Sequence, residues 1–173
     1  MPSDAAEHQE EIQRGGQKVI KQDTEDVKHK LSEAYSLMQK AEECSDRADN
    51  QEGIRLLLKA GKIYEEILGT EHLETASVYY NLAGLYEAQG KYAEAGKLYT
   101  KAVGILEKLL GENHPDTAAV YRNLAILYEK TGEYTVAEKL YRKALPIAEN
   151  VLGENHDLTR SIRNALIKFT TCP

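Results

Sequence analysis

Residues 110–117 read LGENHPDT, and the same phrase occurs twice more, as LGTEHLET at 68–75 and LGENHDLT at 152–159. The starts lie 42 residues apart both times, so His72, His114 and His156 occupy one recurring position. Sliding the chain by 42 aligns residues 76–117 with 118–159 at 25 of 42 positions. That level of identity marks two copies of one structural unit. The shared residues include Tyr79/Tyr121, Asn81/Asn123, Leu82/Leu124, Ala83/Ala125, Tyr86/Tyr128, Gly90/Gly132, Ala95/Ala137, Tyr99/Tyr141 and Ala102/Ala144.

The spacing inside each unit is helical. Tyr79, Leu82, Ala83 and Tyr86 fall at i, i+3, i+4 and i+7, one face of a helix, and Ala95, Leu98, Tyr99 and Ala102 repeat the pattern. Between them stands QGKY or TGEY, whose glycine suits the left-handed conformation that ends a helix. Each unit therefore reads as a helix of about 17 residues, a tight turn and a helix of about 19. Alanines at the contacts let the axes approach to ~8 Å, and tyrosines from the neighbour fill the remaining space.

LGENHPDT is then the joint between units. Glycine stops one helix, Asn113 or His114 caps the next, and Pro115 suits its first turn. The recurrent histidines read as caps rather than metal ligands, because units stacked roughly 10 Å apart keep them from converging within ~2.1 Å of one ion. No metal and no cofactor is expected. No P-loop, GxSxG, HExxH or EF-hand loop occurs, so no enzyme is expected either.

Tyrosine, leucine, alanine, tyrosine, alanine, tyrosine and alanine at Tyr79, Leu82, Ala83, Tyr86, Ala95, Tyr99 and Ala102 resemble the tetratricopeptide repeat. The 42-residue period, the cores NLAGLY and NLAILY and the LGxxHPxT joint are similar to the repeats of kinesin light chains. The resemblance implies an all-α, right-handed α-solenoid of stacked helix-turn-helix units. Its domain covers 19–168, with clear repeats at 76–117 and 118–159, a degenerate first unit at 19–75 and a capping helix at 157–168. Residues 1–18 are polar, contain Gly15-Gly16 and read as a flexible tail, as do 169–173. Pro146 removes one hydrogen bond inside a second helix, which predicts a local kink.

Composition bounds the partners. Lys plus Arg number 22 and Asp plus Glu 28, a net charge of −6. Residues 1–50 hold 12 acids and 7 bases (net −5), and 51–173 hold 16 acids and 15 bases (net −1). No basic field exists for a phosphate backbone, so no nucleic acid is expected. No apolar run approaches the ~20 residues of a membrane span, and MPSDAAEHQEE lacks the basic start and apolar stretch of a signal peptide. Cys44 and Cys172 stand far apart without CxxC spacing. A cytoplasmic protein without membrane insertion is expected.

Function must come from surfaces. First helices of such a stack line a concave groove. Off the packing stripe, the groove residues are Ser77, Tyr80, Asn81, Gly84 and Glu87, then Ala119, Arg122, Asn123, Ile126, Glu129 and Lys130. Asn81 and Asn123 share one repeat position, and an amide both donates and accepts. In kinesin light chains the matching asparagine lines a peptide groove, and the resemblance carries that role to these two residues. The expected activity is a non-catalytic interaction module or adaptor binding a protein or peptide segment. Arg122 and Lys130 would meet acids, and Tyr80 and Ile126 would give apolar contact. The alternative is a small structural subunit of a larger complex, such as a ciliary, motor or organellar assembly. Its contacts would run through the convex face, helix 19–48 and Arg160, Arg163 and Lys168.

Overall fold

The computed structural model describes the backbone of residues 4–171 and the side chains of 24–45 and 47–169. Among the described residues the chain forms seven helices and no strand. They are α1 (Asp4–Asp46), α2 (Asn50–Leu68), α3 (Leu73–Ala88), α4 (Tyr92–Leu110), α5 (Pro115–Thr131), α6 (Tyr134–Leu152) and α7 (Asp157–Thr171). Each helix packs on the next: α1 on α2, α3 on α4 and α5 on α6 within units, with α2 on α3, α4 on α5 and α6 on α7 between them. The result is an all-α solenoid of helical hairpins with α7 closing the stack.

The hairpin turn follows one geometry three times. Gly132 and Gly90 have φ of 84° and 73°. The amide following the turn residue reaches back five residues: Lys91 N–H to the Tyr86 carbonyl (2.9 Å) and Glu133 N–H to Tyr128 (2.8 Å). This is the Schellman closure, which satisfies carbonyls left open at a helix end. The same bond joins Asp49 to Cys44 at 2.9 Å, and Ala48 takes the glycine position with φ 59°. Residues 19–48 therefore end as a true first helix, in the 42-residue register, despite lacking the tyrosines and the NLA core.

The joint is built equally regularly. Gly69, Gly111 and Gly153 have φ of 89°, 88° and 87°, and each donates back to a glutamate carbonyl, of Glu65, Glu107 and Glu149. Nδ1 of His72, His114 and His156 then accepts the N–H of Glu74 (3.5 Å), Asp116 (3.2 Å) and Leu158 (3.2 Å). The histidine, and not Asn113, caps the following helix. Thr75 and Thr117 are fully buried behind it and donate to the Gly69 and Gly111 carbonyls, at 2.8 and 3.1 Å.

The core is a ladder of small and aromatic residues. Ala34, Ala76 and Ala118 share one repeat position and are 0–1% exposed; Ala41, Ala83 and Ala125 share another. Tyr99 and Tyr141 fill the space these alanines leave. A second cluster joins Leu56, Leu57, Ala60 and Tyr64 of α2 to Val78, Leu82 and Leu85 of α3, so the divergent first unit is packed as firmly as the others.

Two boundaries differ from the sequence reading. The helix α1 includes residues 4–18, set apart above as a polar tail; the side chains of 1–23 lie outside the described residues. The last helix runs to Thr171 instead of 168. Helix α6 continues through Pro146 from Tyr134 to Leu152 as one element, because packing of Tyr141, Ala144, Ile147 and Ala148 on both sides of the proline holds the turn together.

Candidate functional site

The first helices line one groove. Its larger compartment, about 520 Å³, lies between α1 and α3, with Met38, Glu42, Leu57, Tyr80, Asn81 and Gly84 among its walls. A second compartment, about 450 Å³, lies between the N-terminal parts of α5 and α7 and includes Ala119, Arg122, His156 and Leu158. Tyr80 and Asn123 belong to both.

A hydrogen bond between those two residues divides the groove. Asn123 Nδ2 donates to the Tyr80 hydroxyl at 2.7 Å. The opposite end of the same amide is also engaged: Arg122 donates from one guanidinium nitrogen to Asn123 Oδ1 (3.0 Å) and from Nε to Ser161 Oγ (3.1 Å). A continuous polar chain thus crosses the groove floor from α7 through α5 to α3. The Tyr80 ring meets the Tyr99 ring edge-on, with centroids 5.8 Å apart.

The carboxylates of α3 and α5 beside the groove are paired within the chain. The Tyr99 hydroxyl donates to Glu87 at 3.1 Å and the Tyr141 hydroxyl donates to Glu129, one unit further on. Burial, reinforced by the adjacent carboxylate, pushes both hydroxyls well above the usual tyrosine range. Lys130 reaches across to Glu87 at 2.8 Å, and that salt bridge raises the lysine. Each tyrosine keeps its ring in the core and its oxygen at the groove wall, as its mixed character permits.

The residues singled out from the sequence therefore divide. Tyr80, Asn81, Gly84, Arg122 and Asn123 line the compartments. Glu87, Glu129 and Lys130 stand beside them in ion pairs or hydrogen bonds. Ser77 is exposed and Ile126 half-buried on the same helices. Asn81 is exposed and, among the described residues, its side chain makes no hydrogen bond within the chain. Arg122 and Lys130, expected to meet ligand acids, already have internal partners.

Sequence reasoning missed the α1 wall. Met38, Gln39, Glu42 and Ser45 line the larger compartment. Adding 42 to each number gives Tyr80, Asn81, Gly84 and Glu87, so Gln39, Asn81 and Asn123 form one row of side-chain amides. Extending the 42-residue comparison one unit toward the N-terminus would have found them.

These features define a helical-repeat solenoid with a divided, amide-lined groove. A family model described as tetratricopeptide repeat matches residues 32–108, 74–150 and 123–166, and the chain belongs to that family. Among solved structures it is similar to the nearly identical TPR-like repeats of a Podosopora anserina kinesin light chain candidate. The identity is 26% and the TM-score 0.72, over 80% of this chain and 65% of that one. It is also similar to BtubC (BKLC) from P. vanneervenii, at 22% identity and TM-score 0.69, over 79% of this chain and 57% of that one. The Sgt2 TPR domain from Aspergillus fumigatus shares the fold at 17% identity and TM-score 0.58, with 80% of each chain covered. The chain thus spans less than two thirds of the first two proteins. Comparison with curated proteins gives no significant match. Among the described residues no helix is long and apolar enough to cross a membrane.

Proposed function

We propose that the groove lined by α1, α3 and α5 holds an extended segment of a protein partner, without catalysis, and that the chain acts as an adaptor or scaffold. Tetratricopeptide repeats serve generally in protein–protein interaction, and the family match supplies the class. The observation that carries the finer reading is Asn81. It is an exposed amide on the groove wall, in line with Gln39 and Asn123, with no partner among the described residues. Asparagine is a mediocre helix former, and an amide facing a groove can pair with both the N–H and the C=O of an extended backbone.

In this reading Asn81 takes the ligand backbone, and Tyr80 and Ile126 give apolar contact. Asn123 joins only when the Tyr80 hydrogen bond opens. Arg122 and Lys130 contribute to ligand acids only by exchanging Ser161 and Glu87 for them.

The test is a peptide selected on the wild-type chain from a displayed random library. Its affinity is then measured against Asn81→Ala and against Asn81→Ala with Asn123→Ala. A loss of tenfold or more in Kd with helicity unchanged is expected. Unchanged affinity with the fold intact rejects the groove. The structural-subunit alternative draws on Leu109 and Val151, which share one repeat position on the second helices and are 45% and 51% exposed. Substituting both by serine separates the two readings: it leaves a groove ligand in place and releases an assembly built on that face.

A further inference from the structure

The charges between α3 and α5 cancel internally. Glu87 receives both Lys130 and the Tyr99 hydroxyl, Glu129 receives the Tyr141 hydroxyl, and Arg122 is spent on Ser161 and Asn123. The larger compartment, toward α1, is different. Glu42 is the one charged residue among those lining it. It is exposed and, among the described residues, has neither an ion pair nor a hydrogen bond. Below it lies an apolar floor of Met38, Leu57, Leu85 and the Tyr80 ring.

Gly84 keeps that floor open. It occupies the position of Glu42 on the next first helix, in the middle of α3, where glycine is a poorer helix former than alanine. No neighbour requires it: a methyl there would meet only the Tyr99 hydroxyl, at an ordinary 3.7 Å. The absent side chain leaves room in the compartment.

An unpaired carboxylate above an apolar floor matches a side chain with an aliphatic stem and a cationic end. An acidic side chain would be set against Glu42 with no base on the compartment wall to offset it. We infer that the α1–α3 compartment recognises a lysine or arginine of the bound segment. Its stem lies on Met38 and the Tyr80 ring, and its charged end pairs with Glu42. This inference rests on the groove reading above and gives the partner's chemistry: an extended segment with a basic residue at one fixed position.

The experiment is selection of a displayed random peptide library on the wild-type chain and on Glu42→Lys, with Asn81→Ala as reference and circular dichroism to confirm folding. Peptides enriched on the wild type carry Lys or Arg at one position, and Glu42→Lys enriches Asp or Glu there instead. Glu42→Gln weakens a wild-type peptide roughly three- to fivefold, the scale of an exposed ion pair. Peptides that lose affinity on Asn81→Ala yet carry no fixed basic position, or bind Glu42→Lys equally well, overturn the inference and leave the groove reading standing. Enriched peptides indifferent to Asn81→Ala, or no enrichment at all, overturn both.

Discussion

The hydroxyl of Tyr80 and the side-chain amide of Asn123, 43 residues apart, are joined at 2.7 Å across the floor of the groove. The bond bars the boundary between the two compartments. It also ties up the second of the two asparagines that share a repeat position, leaving Asn81 as the free one. Tyr80→Phe removes the acceptor. We expect a stability loss of about 0.5–1.5 kcal/mol by urea denaturation, the net value of one such hydrogen bond. A groove ligand should bind Tyr80→Phe at least as tightly, because Asn123 Nδ2 is then available. A marked weakening would show that the Tyr80 hydroxyl itself contacts the ligand.

Ala48 holds a conformation that its unit-mates assign to glycine. Its φ of 59° puts its Cβ against the backbone, a cost of roughly 1–2 kcal/mol for an L-residue. Ala48→Gly should therefore raise the stability to thermal or urea denaturation by up to about 1 kcal/mol, the glycine's greater freedom in the unfolded chain offsetting part of the gain. A destabilised variant would show that the α1–α2 turn departs from the Schellman geometry.

The 42-residue comparison made most of the fold legible, because helix turns, joints and the alanine ladder are local and recur. What it obscured has physical causes. The first unit keeps the small residues Ala34 and Ala41 but exchanges Tyr79 and Tyr86 for Leu37 and Cys44, so its identity with the others is low while its packing is the same. Ala48 in place of glycine hides the turn. The groove residues were readable as positions on a helix. Whether each is free was not, since Asn123, Arg122 and Lys130 are engaged by Tyr80, Ser161 and Glu87, about one unit away in sequence. A repeat pattern places such side chains on a face without recording which pairs they form.

The joint makes its own prediction. His114 caps α5 through Nδ1, a role open to any short side chain with an acceptor. His114→Ala should cost about 0.5–1 kcal/mol and His114→Asn close to nothing, measured by thermal melts. A full loss on His114→Asn would point to a role for the ring beyond its Nδ1.

Alkaline pH should unfold the stack. Burial and the Glu65 carboxylate push Tyr79 up to about 12, and Tyr99 and Tyr141 are raised further. A folded-state value above the unfolded one means the native chain holds its protons longer. The stability this contributes is complete below about pH 10, the unfolded tyrosine value, and drains away as pH rises through 12 and beyond. Absorbance at 295 nm should show Tyr79, Tyr99 and Tyr141 ionising above pH 10 together with loss of helical ellipticity. Smooth ionisation of all eleven tyrosines near pH 10 with helicity retained would contradict the buried hydroxyl–carboxylate pairs.

A partner segment held in the groove of the first helices lies within reach of site-specific photocrosslinking. A benzophenone amino acid replaces the exposed Ala88 of α3, on the wall of the larger compartment, in one variant and the exposed Lys139 on α6 in another, and each is irradiated with a library-selected peptide. A covalent peptide adduct from position 88, mapped by mass spectrometry, and none from position 139 is the expected result. An adduct from 139 with none from 88 would place the segment outside the groove.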